Sequence, residues 1–137
     1  MKLDETEAAQ RFSASRVARL ATVDEHGRPH LVPVVFAVHG SVLVVAVDDK
    51  PKSGRNLKRL RNIEANPAVS ILVDEYAEDW SRLWWVRADG QARVVRDEVA
   101  MREPIDWLVA KYPQYQQMRP AGPVIWIEVR RWTGWAP

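Results

Sequence analysis

The sequence contains no cysteine. This absence excludes a disulfide framework, a thiolate nucleophile and a cysteine-based zinc site. No stretch approaches the roughly 18 consecutive apolar residues that a membrane span requires. The first residues, MKLDETEAAQRF, are polar and acidic and lack the apolar core of a secretory signal. We therefore expect a cytoplasmic protein that does not associate with membranes, and 137 residues suit one domain over residues 1–137.

The familiar signatures of catalytic sites are missing as well. The three histidines fall in or beside predicted turns, with no carboxylate at ligand spacing, so we expect no metal site. No serine lies in a G-x-S-x-G context, and phosphate loops of the GxGxxG or Walker type are absent. The sequence identifies neither a nucleophile nor a general acid–base pair, and the catalytic residues stay unknown.

Net charge is also small, at +2, which argues against a protein that coats nucleic acid. The positive charge is nevertheless concentrated in one segment. From Lys50 to Ile63 there are six basic residues and no acidic one: Lys50, Lys52, Arg55, Lys58, Arg59 and Arg61.

Apolar and β-branched runs predict six strands, at residues 17–23, 30–38, 42–47, 68–73, 83–95 and 124–132. Gly27 and Gly40 mark tight turns between the first three, which predicts an antiparallel meander. Pro33 removes a backbone donor from the second strand and therefore marks an edge or a bulge. A bend is expected at Asp89–Gly90 in the fifth strand.

Helices are predicted between and beside these strands. Asp4 or Thr6 can cap a first helix over residues 5–15. A second is expected over residues 53–66, and a third has the apolar stripe Met101, Ile105, Leu108 and Tyr112, with Pro104 in its first turn. The fold class is therefore mainly β, an antiparallel six-stranded barrel over residues 17–132 with two or three peripheral helices.

The basic segment can be interpreted in two ways. A helix start offers free N–H groups and a favourable dipole end to phosphate, so lysines before the helix and arginines on it could form an anion clamp. The same charges could equally form a solvated helix face. The residues of the candidate clamp are Lys50, Lys52, Arg55, Lys58 and Arg59.

The order of these features resembles a known family. Strand hairpins are followed by a lysine-rich turn and helix, then by NIEANPAVSILVDEY and DWSRLWWVRADGQARVV. This arrangement resembles the pyridoxamine-5'-phosphate-oxidase-like split β-barrel superfamily. Within it, the chain is most similar to small actinobacterial proteins classed as probable deazaflavin (coenzyme F420)-dependent enzymes. The matching parts cover most of the stretch from Val17 to Val95.

The resemblance implies an FMN-binding-like split barrel that forms a homodimer with two cofactor sites at the interface. Basic residues of the turn and helix would hold the cofactor phosphate, at Lys50, Lys52, Lys58 and Arg59, with Arg55 as a further candidate. The backbone around Pro33, Val34 and Val35 would lie along the cofactor ring. Arg87 would reach the cofactor across the interface.

Trp80, near the start of the fifth strand, is a candidate for the mouth of the pocket. Trp84 and Trp85 are adjacent in that strand and therefore face opposite sides, one toward the core and the other toward an interface or a cofactor.

These features together favour an F420-dependent oxidoreductase that transfers a hydride between the deazaflavin and an unidentified small organic substrate. Such a cofactor carries the chemistry itself, which accounts for the missing catalytic residues. Two alternatives stay open. One is an FMN-binding oxidoreductase of the same superfamily, and the other is a non-enzymatic barrel that binds a cofactor or nucleic acid. No C-terminal arginine pair suited to pyridoxal phosphate is evident, which argues against vitamin B6 oxidase activity.

Overall fold

The computed structural model describes residues 1–47 and 58–137. Within them, seven antiparallel strands form one sheet that curls into a half-barrel. The strands are β1 (Ala18–Val23), β2 (Pro29–Val34), β3 (Ala37–His39), β4 (Val42–Ala46), β5 (Ala68–Glu75), β6 (Trp84–Val95) and β7 (Val124–Trp135). The helices are α1 (Glu5–Ala14), α2 (Lys58–Ala65), α3 (Glu98–Lys111) and α4 (Pro113–Gln117), with one 3-10 turn at Trp80–Arg82. None of the helices in these residues is long and apolar enough to cross a lipid bilayer.

The strand order is β2-β1-β5-β6-β7-β4-β3, so two strands that are consecutive in the chain lie at opposite edges of the sheet. They are joined through Val35 and Phe36, where the predicted strand over residues 30–38 is broken. The prediction of six strands was therefore wrong by one. The two hairpins of the predicted meander are confirmed, since β1 pairs with β2 and β3 pairs with β4, but they do not form one three-strand unit because the middle strand is broken. The placement of Pro33 on an edge strand is confirmed.

Side-chain caps set the starts of two helices. The Asp4 side chain accepts a hydrogen bond from the Glu7 N–H at 2.8 Å, which confirms Asp4 as the cap of α1. Asp97 accepts from the Ala100 N–H at 2.9 Å, so α3 begins well before Pro104. The prediction that Pro104 lies in the first turn was wrong. The described residues contain four helices where two or three were expected, because α4 occupies part of a predicted loop.

The core consists of two clusters on opposite sides of the sheet. The larger one fills the half-barrel and includes Phe12, Phe36 and Ile71, together with Leu60 and Ile63 of α2. In the second cluster, α3 packs against the other face of β4 and β7. Strand β4 alternates between the two, which explains its continuous apolar sequence.

A β-bulge interrupts the pairing of β6 with β7 between Asp89 and Gly90, at the predicted bend. At Gly90 the two backbones approach so closely that a Cβ atom would overlap the carbonyl oxygen of Glu128. Only glycine fits there without a backbone shift. The extra residue of the bulge is Arg130 on β7, so the bulge sets which side chains of β7 face outward on either side of it.

Candidate functional site

An open groove of about 850 Å³ lies on the outer face of the half-barrel, across β1, β2, β5, β6 and β7. The strand register explains which side chains meet on this face, since paired residues project to the same side. Two rows cross the five strands. One row is Pro33, Arg19, Leu72, Arg87 and Thr133, and the other is Leu31, Ala21, Ser70, Asp89 and Arg131.

Aromatic and aliphatic side chains form the walls of the groove. Trp85 and Trp135 are opposite each other in the β6–β7 register, and Leu31 and Leu72 add aliphatic surface. Leu31 is 65% exposed and Trp135 is 41% exposed. Trp84, next to Trp85, packs against the main core and reaches the groove only at its rim, which confirms that the two tryptophans face opposite sides. The groove therefore offers flat apolar surface to a ring or to a partner.

A chain of polar contacts crosses the face of the groove. The Ser70 hydroxyl donates to Asp89 Oδ1 at 2.5 Å, and Arg87 Nε donates to Asp89 Oδ2 at 3.0 Å. The Arg87 guanidinium carbon also lies 5.8 Å from the centre of the Trp85 ring. Burial raises the pKa of Asp89, but the bonds from Ser70 and Arg87 and the charges of Arg87 and Arg131 outweigh burial and lower it. Asp89 therefore stays ionised and Arg87 stays paired with it.

Arg19 forms a second ion pair on the same face, with its Nη1 atom 3.5 Å from Asp74 Oδ1. Both side chains are about half exposed, so this pair stabilises the fold little. In residues 1–47 and 58–137, no group of three His, Asp or Glu side chains gathers as a metal site would require.

The residues expected near the cofactor ring lie in different parts of the structure. Arg87 lines the groove, and Pro33 lies in the same row on the outer face. Val34 points into the main core at 7% exposure, and Val35 packs against the second cluster, so only their backbone could follow a ring. Trp80 lies on the 3-10 turn before β6, is 69% exposed, and does not form part of the groove wall.

The expected phosphate-binding residues fall at the edge of the described structure. Lys50, Lys52 and Arg55 lie outside the described residues. Lys58 begins the described part of α2, with its Nζ atom 3.8 Å from Asp24 Oδ2. Arg59 is half-buried, and burial lowers its pKa. Its Nε atom is buried without a hydrogen-bond acceptor in the described part of the chain.

A buried hydrogen bond fixes α2 on the barrel. Asn62 Nδ2 donates to Thr22 Oγ1 at 3.0 Å, and both residues are at most 3% exposed. This bond positions Lys58 and Arg59 beside the β1–β2 turn. Neither Lys58 nor Arg59 contributes to the groove wall that holds Arg87, so these two described members of the phosphate set do not share a pocket with Arg87.

Sequence reasoning missed Arg19, Ser70 and Asp89. Each lies on a different strand, and their proximity follows from the pairing of β1, β5 and β6. The two-residue spacing of Trp85, Arg87 and Asp89 was the only local signal, since residues i, i+2 and i+4 of a strand share one face.

Comparisons with known proteins agree with this fold. The family model described as pyridoxamine 5'-phosphate oxidase matches residues 5–136. A 65-residue stretch is 37% identical to the 5a,11a-dehydrotetracycline/5a,11a-dehydrooxytetracycline reductase of Streptomyces rimosus, covering 45% of this chain and 42% of the reductase.

Two solved structures are similar over nearly the whole chain. An FAD-binding protein from Mesorhizobium loti is 25% identical with a TM-score of 0.71, covering 98% of this chain and 95% of that one. A conserved hypothetical protein from Mycobacterium tuberculosis is 25% identical with a TM-score of 0.77, covering 98% and 85%. This chain belongs to the pyridoxamine 5'-phosphate oxidase family, within the split β-barrel superfamily that the sequence resembles.

Proposed function

We propose that this chain is an oxidoreductase that uses coenzyme F420 and transfers a hydride between it and a small organic substrate. The observation that carries the proposal is the outer groove, in which flat apolar walls meet the Arg87 guanidinium. Two proteins similar to this chain add support, because one is a reductase and the other is an FAD-binding protein. FMN is the alternative cofactor.

The groove suits a flavin-type ring. Its volume of about 850 Å³ is within the roughly 300–1,000 Å³ range of small-molecule sites. Trp85, Trp135 and Leu72 provide surfaces on which a tricyclic ring can stack. Arg87 provides donors for ring oxygen atoms.

The phosphate of the cofactor requires fixed cationic donors, and Arg59 meets this requirement. A buried guanidinium nitrogen without an acceptor costs free energy, and an anion bound there would remove that cost. Lys58, on the same helix, adds a mobile charge at the edge. Lys50, Lys52 and Arg55 stay predictions of this same clamp.

When bound, the cofactor supplies the hydride chemistry. The side chains of the groove orient the ring and exclude water from its faces. The hydroxyl groups nearby are engaged, since Ser70 donates to Asp89 and the Tyr76 hydroxyl lies 3.4 Å from Glu78. A proton that the substrate needs is therefore expected from water and not from these two hydroxyl groups.

We further propose that a second copy of the chain covers this open side. Leu31, Leu72 and Trp135 are large apolar side chains exposed on one face, and such patches favour association. The resemblance implies that the cofactor sites lie at such an interface, with the phosphate-binding residues and Arg87 serving one cofactor across it. Sedimentation equilibrium of the protein at micromolar concentration is expected to give twice the monomer mass.

The cofactor proposal is tested by titrating the protein with F420 and with FMN, followed by absorbance and fluorescence. We expect F420 to bind more tightly than FMN. The Arg87→Ala variant should weaken binding, whereas Arg93→Ala, on the same strand and over the ring of Trp126, should not. If neither cofactor binds more tightly than about 1 mM, or about −4 kcal/mol, the proposal is wrong. Salt-dependent binding of an oligonucleotide in their place would favour the nucleic-acid-binding alternative.

A further inference from the structure

The carboxylate of Asp89 lies on the outer face, on β6 between β5 and β7. Its register partner on β5 is Ser70, and its partner on β7 is Arg131. Arg87 precedes it by two positions on β6 and therefore projects to the same side. The register of β6 with β7 shifts directly after Asp89, so Asp89 and Arg131 form the last pair before the bulge.

Both oxygen atoms of Asp89 are in use. Oδ1 accepts from the Ser70 hydroxyl, and Oδ2 accepts from Arg87 Nε. Because the two bonds act on opposite ends of the carboxylate, they restrict its rotation about the Cβ–Cγ bond. Asp89 is 28% exposed by side chain, which is less than the 40% of Arg87, so the carboxylate lies deeper in the face than the guanidinium.

The contact uses one particular nitrogen of Arg87. Nε is the donor nearest the backbone, and engaging it leaves both terminal Nη groups without an acceptor in the described residues. The other groove arginine behaves differently, since Arg19 uses a terminal Nη1 atom for Asp74 at 3.5 Å. Arg87 thus keeps its two-pronged fork for a ligand, which is the part of guanidinium that binds planar anions and carbonyl oxygens in pairs.

We propose that Asp89 is a positioning residue: held by Ser70, it grips Arg87 through Nε and presents the two Nη groups to the groove. The inference rests on the proposed function for the identity of the ligand, which is the cofactor. Asp89 itself does not touch the cofactor. Its contribution is to pre-organise a flexible side chain, so that less rotamer freedom is lost when the cofactor binds.

The first test uses the full chain without cofactor. In a 15N-labelled sample, the Nε–H group of Arg87 is expected to give an NMR signal protected from solvent exchange. Asp89→Asn should reduce that protection about tenfold, which corresponds to the coupling free energy typical of two hydrogen-bonded side chains. Asp106→Asn is the matched control, because it removes the carboxylate 2.8 Å from Arg119 on the far side of the molecule. An Arg87 signal that Asp89→Asn leaves unchanged overturns the proposal.

The second test measures affinity for F420. Asp89→Asn is expected to weaken binding about tenfold and Ser70→Ala about threefold, with Asp106→Asn within about twofold of the unmodified protein. In an Arg87→Ala background, Asp89→Asn should have no additional effect. An equal loss in both backgrounds would show that Asp89 acts through the sheet and not through Arg87, and would overturn the inference.

The outcomes separate the two proposals. If the unmodified protein binds neither F420 nor FMN, the proposed function fails, and with it the cofactor as the ligand of Arg87. The exchange measurement on the cofactor-free protein still decides whether Asp89 positions Arg87. If the cofactor binds but the double-variant comparison shows no coupling, the function stands and the positioning role fails.

Discussion

Tyr112 and Phe36 are joined by a hydrogen bond at the point where the chain passes from one edge of the sheet to the other. The Tyr112 hydroxyl accepts from the Phe36 N–H at 3.1 Å and donates to the Arg16 carbonyl oxygen at 3.0 Å. Phe36 is fully buried and Tyr112 is 9% exposed. One hydroxyl therefore ties the end of α3 to the β2–β3 break and to the segment before β1.

Replacing Tyr112 by Phe tests this tie. The substitution keeps the ring but leaves the buried N–H of Phe36 without a partner, which costs about 1–3 kcal/mol of unfolding free energy. Urea denaturation of both proteins measures the difference. Tyr76→Phe is the control, because that hydroxyl is exposed and should change stability by less than about 0.5 kcal/mol. Equal stability of Tyr112→Phe and the unmodified protein would contradict the assignment.

The buried Asn62–Thr22 pair gives a second prediction. Thr22→Val removes the acceptor of the Asn62 amide and should destabilise the protein by about 1–3 kcal/mol. Adding Asn62→Leu removes the unsatisfied amide as well, so the double variant is expected to recover part of the loss. Thermal unfolding of the three proteins measures this. A double variant less stable than Thr22→Val would mean that Asn62 contributes through other contacts.

The protonation of Lys111 predicts how stability depends on pH. Burial, with a smaller contribution from the Arg16 charge, lowers the pKa of Lys111 to about 8. Its Nζ atom lies 3.8 Å from the centre of the Phe36 ring and has no hydrogen-bond acceptor among the described residues. In the unfolded chain a lysine titrates near its ordinary value of 10.5. Between these two values the unfolded chain binds more protons, so stability rises with pH.

We expect the urea midpoint to increase from about pH 8 to about pH 10 and to be insensitive to Lys111 protonation below that window. Lys111→Met should flatten this slope and raise stability at neutral pH, because the desolvation cost disappears. The exposed Lys2→Met variant serves as the control and should retain the slope. A slope that persists in Lys111→Met would assign the effect to another group.

Arg59 predicts opposite changes in stability and affinity. Its buried Nε atom lacks an acceptor in the described residues, so Arg59→Met should leave the cofactor-free protein as stable as before or more stable. The same change should weaken cofactor binding about tenfold, because a charge-assisted hydrogen bond to phosphate is lost. Thermal shifts with and without F420 measure both effects. Arg96→Met, at an exposed ion pair with Glu64, should alter neither; unchanged affinity in Arg59→Met would place the phosphate elsewhere.

Local sequence signals predicted most of the elements because they depend on neighbours in the chain. The turn at Gly27 is one case, where φ is 77° and Asp24 accepts from the N–H groups of His26 and Arg28. The Asp4 cap of α1 was predictable for the same reason, since the Glu7 N–H that it accepts from is only three residues away. The start of α3 was not predicted, because its apolar side chains at Ile105 and Leu108 lie in the middle of the helix and only the Asp97 cap marks where it begins.

The break at Val35–Phe36 could not be predicted in this way. Both halves of the run contain buried residues, but they belong to different strands at opposite edges, and apolar content alone does not distinguish one long strand from two. The candidate site was missed for a related reason. Ser70 and Arg87 are drawn together by Asp89 only once β5 and β6 are in register, and that register depends on the whole sheet.

Strands β2 and β3 are consecutive in the chain but lie at opposite edges of the sheet, and pairing over such long separations affects how fast the protein can fold. Strands β4 and β7 must pair across a segment of more than seventy residues that includes β5, β6 and α3, and β1 must find β5 beyond β2, β3 and β4. Each such closure loses chain entropy before its contacts form. We therefore expect refolding on a millisecond-to-second timescale, with the tie at Phe36 among the last contacts to be made.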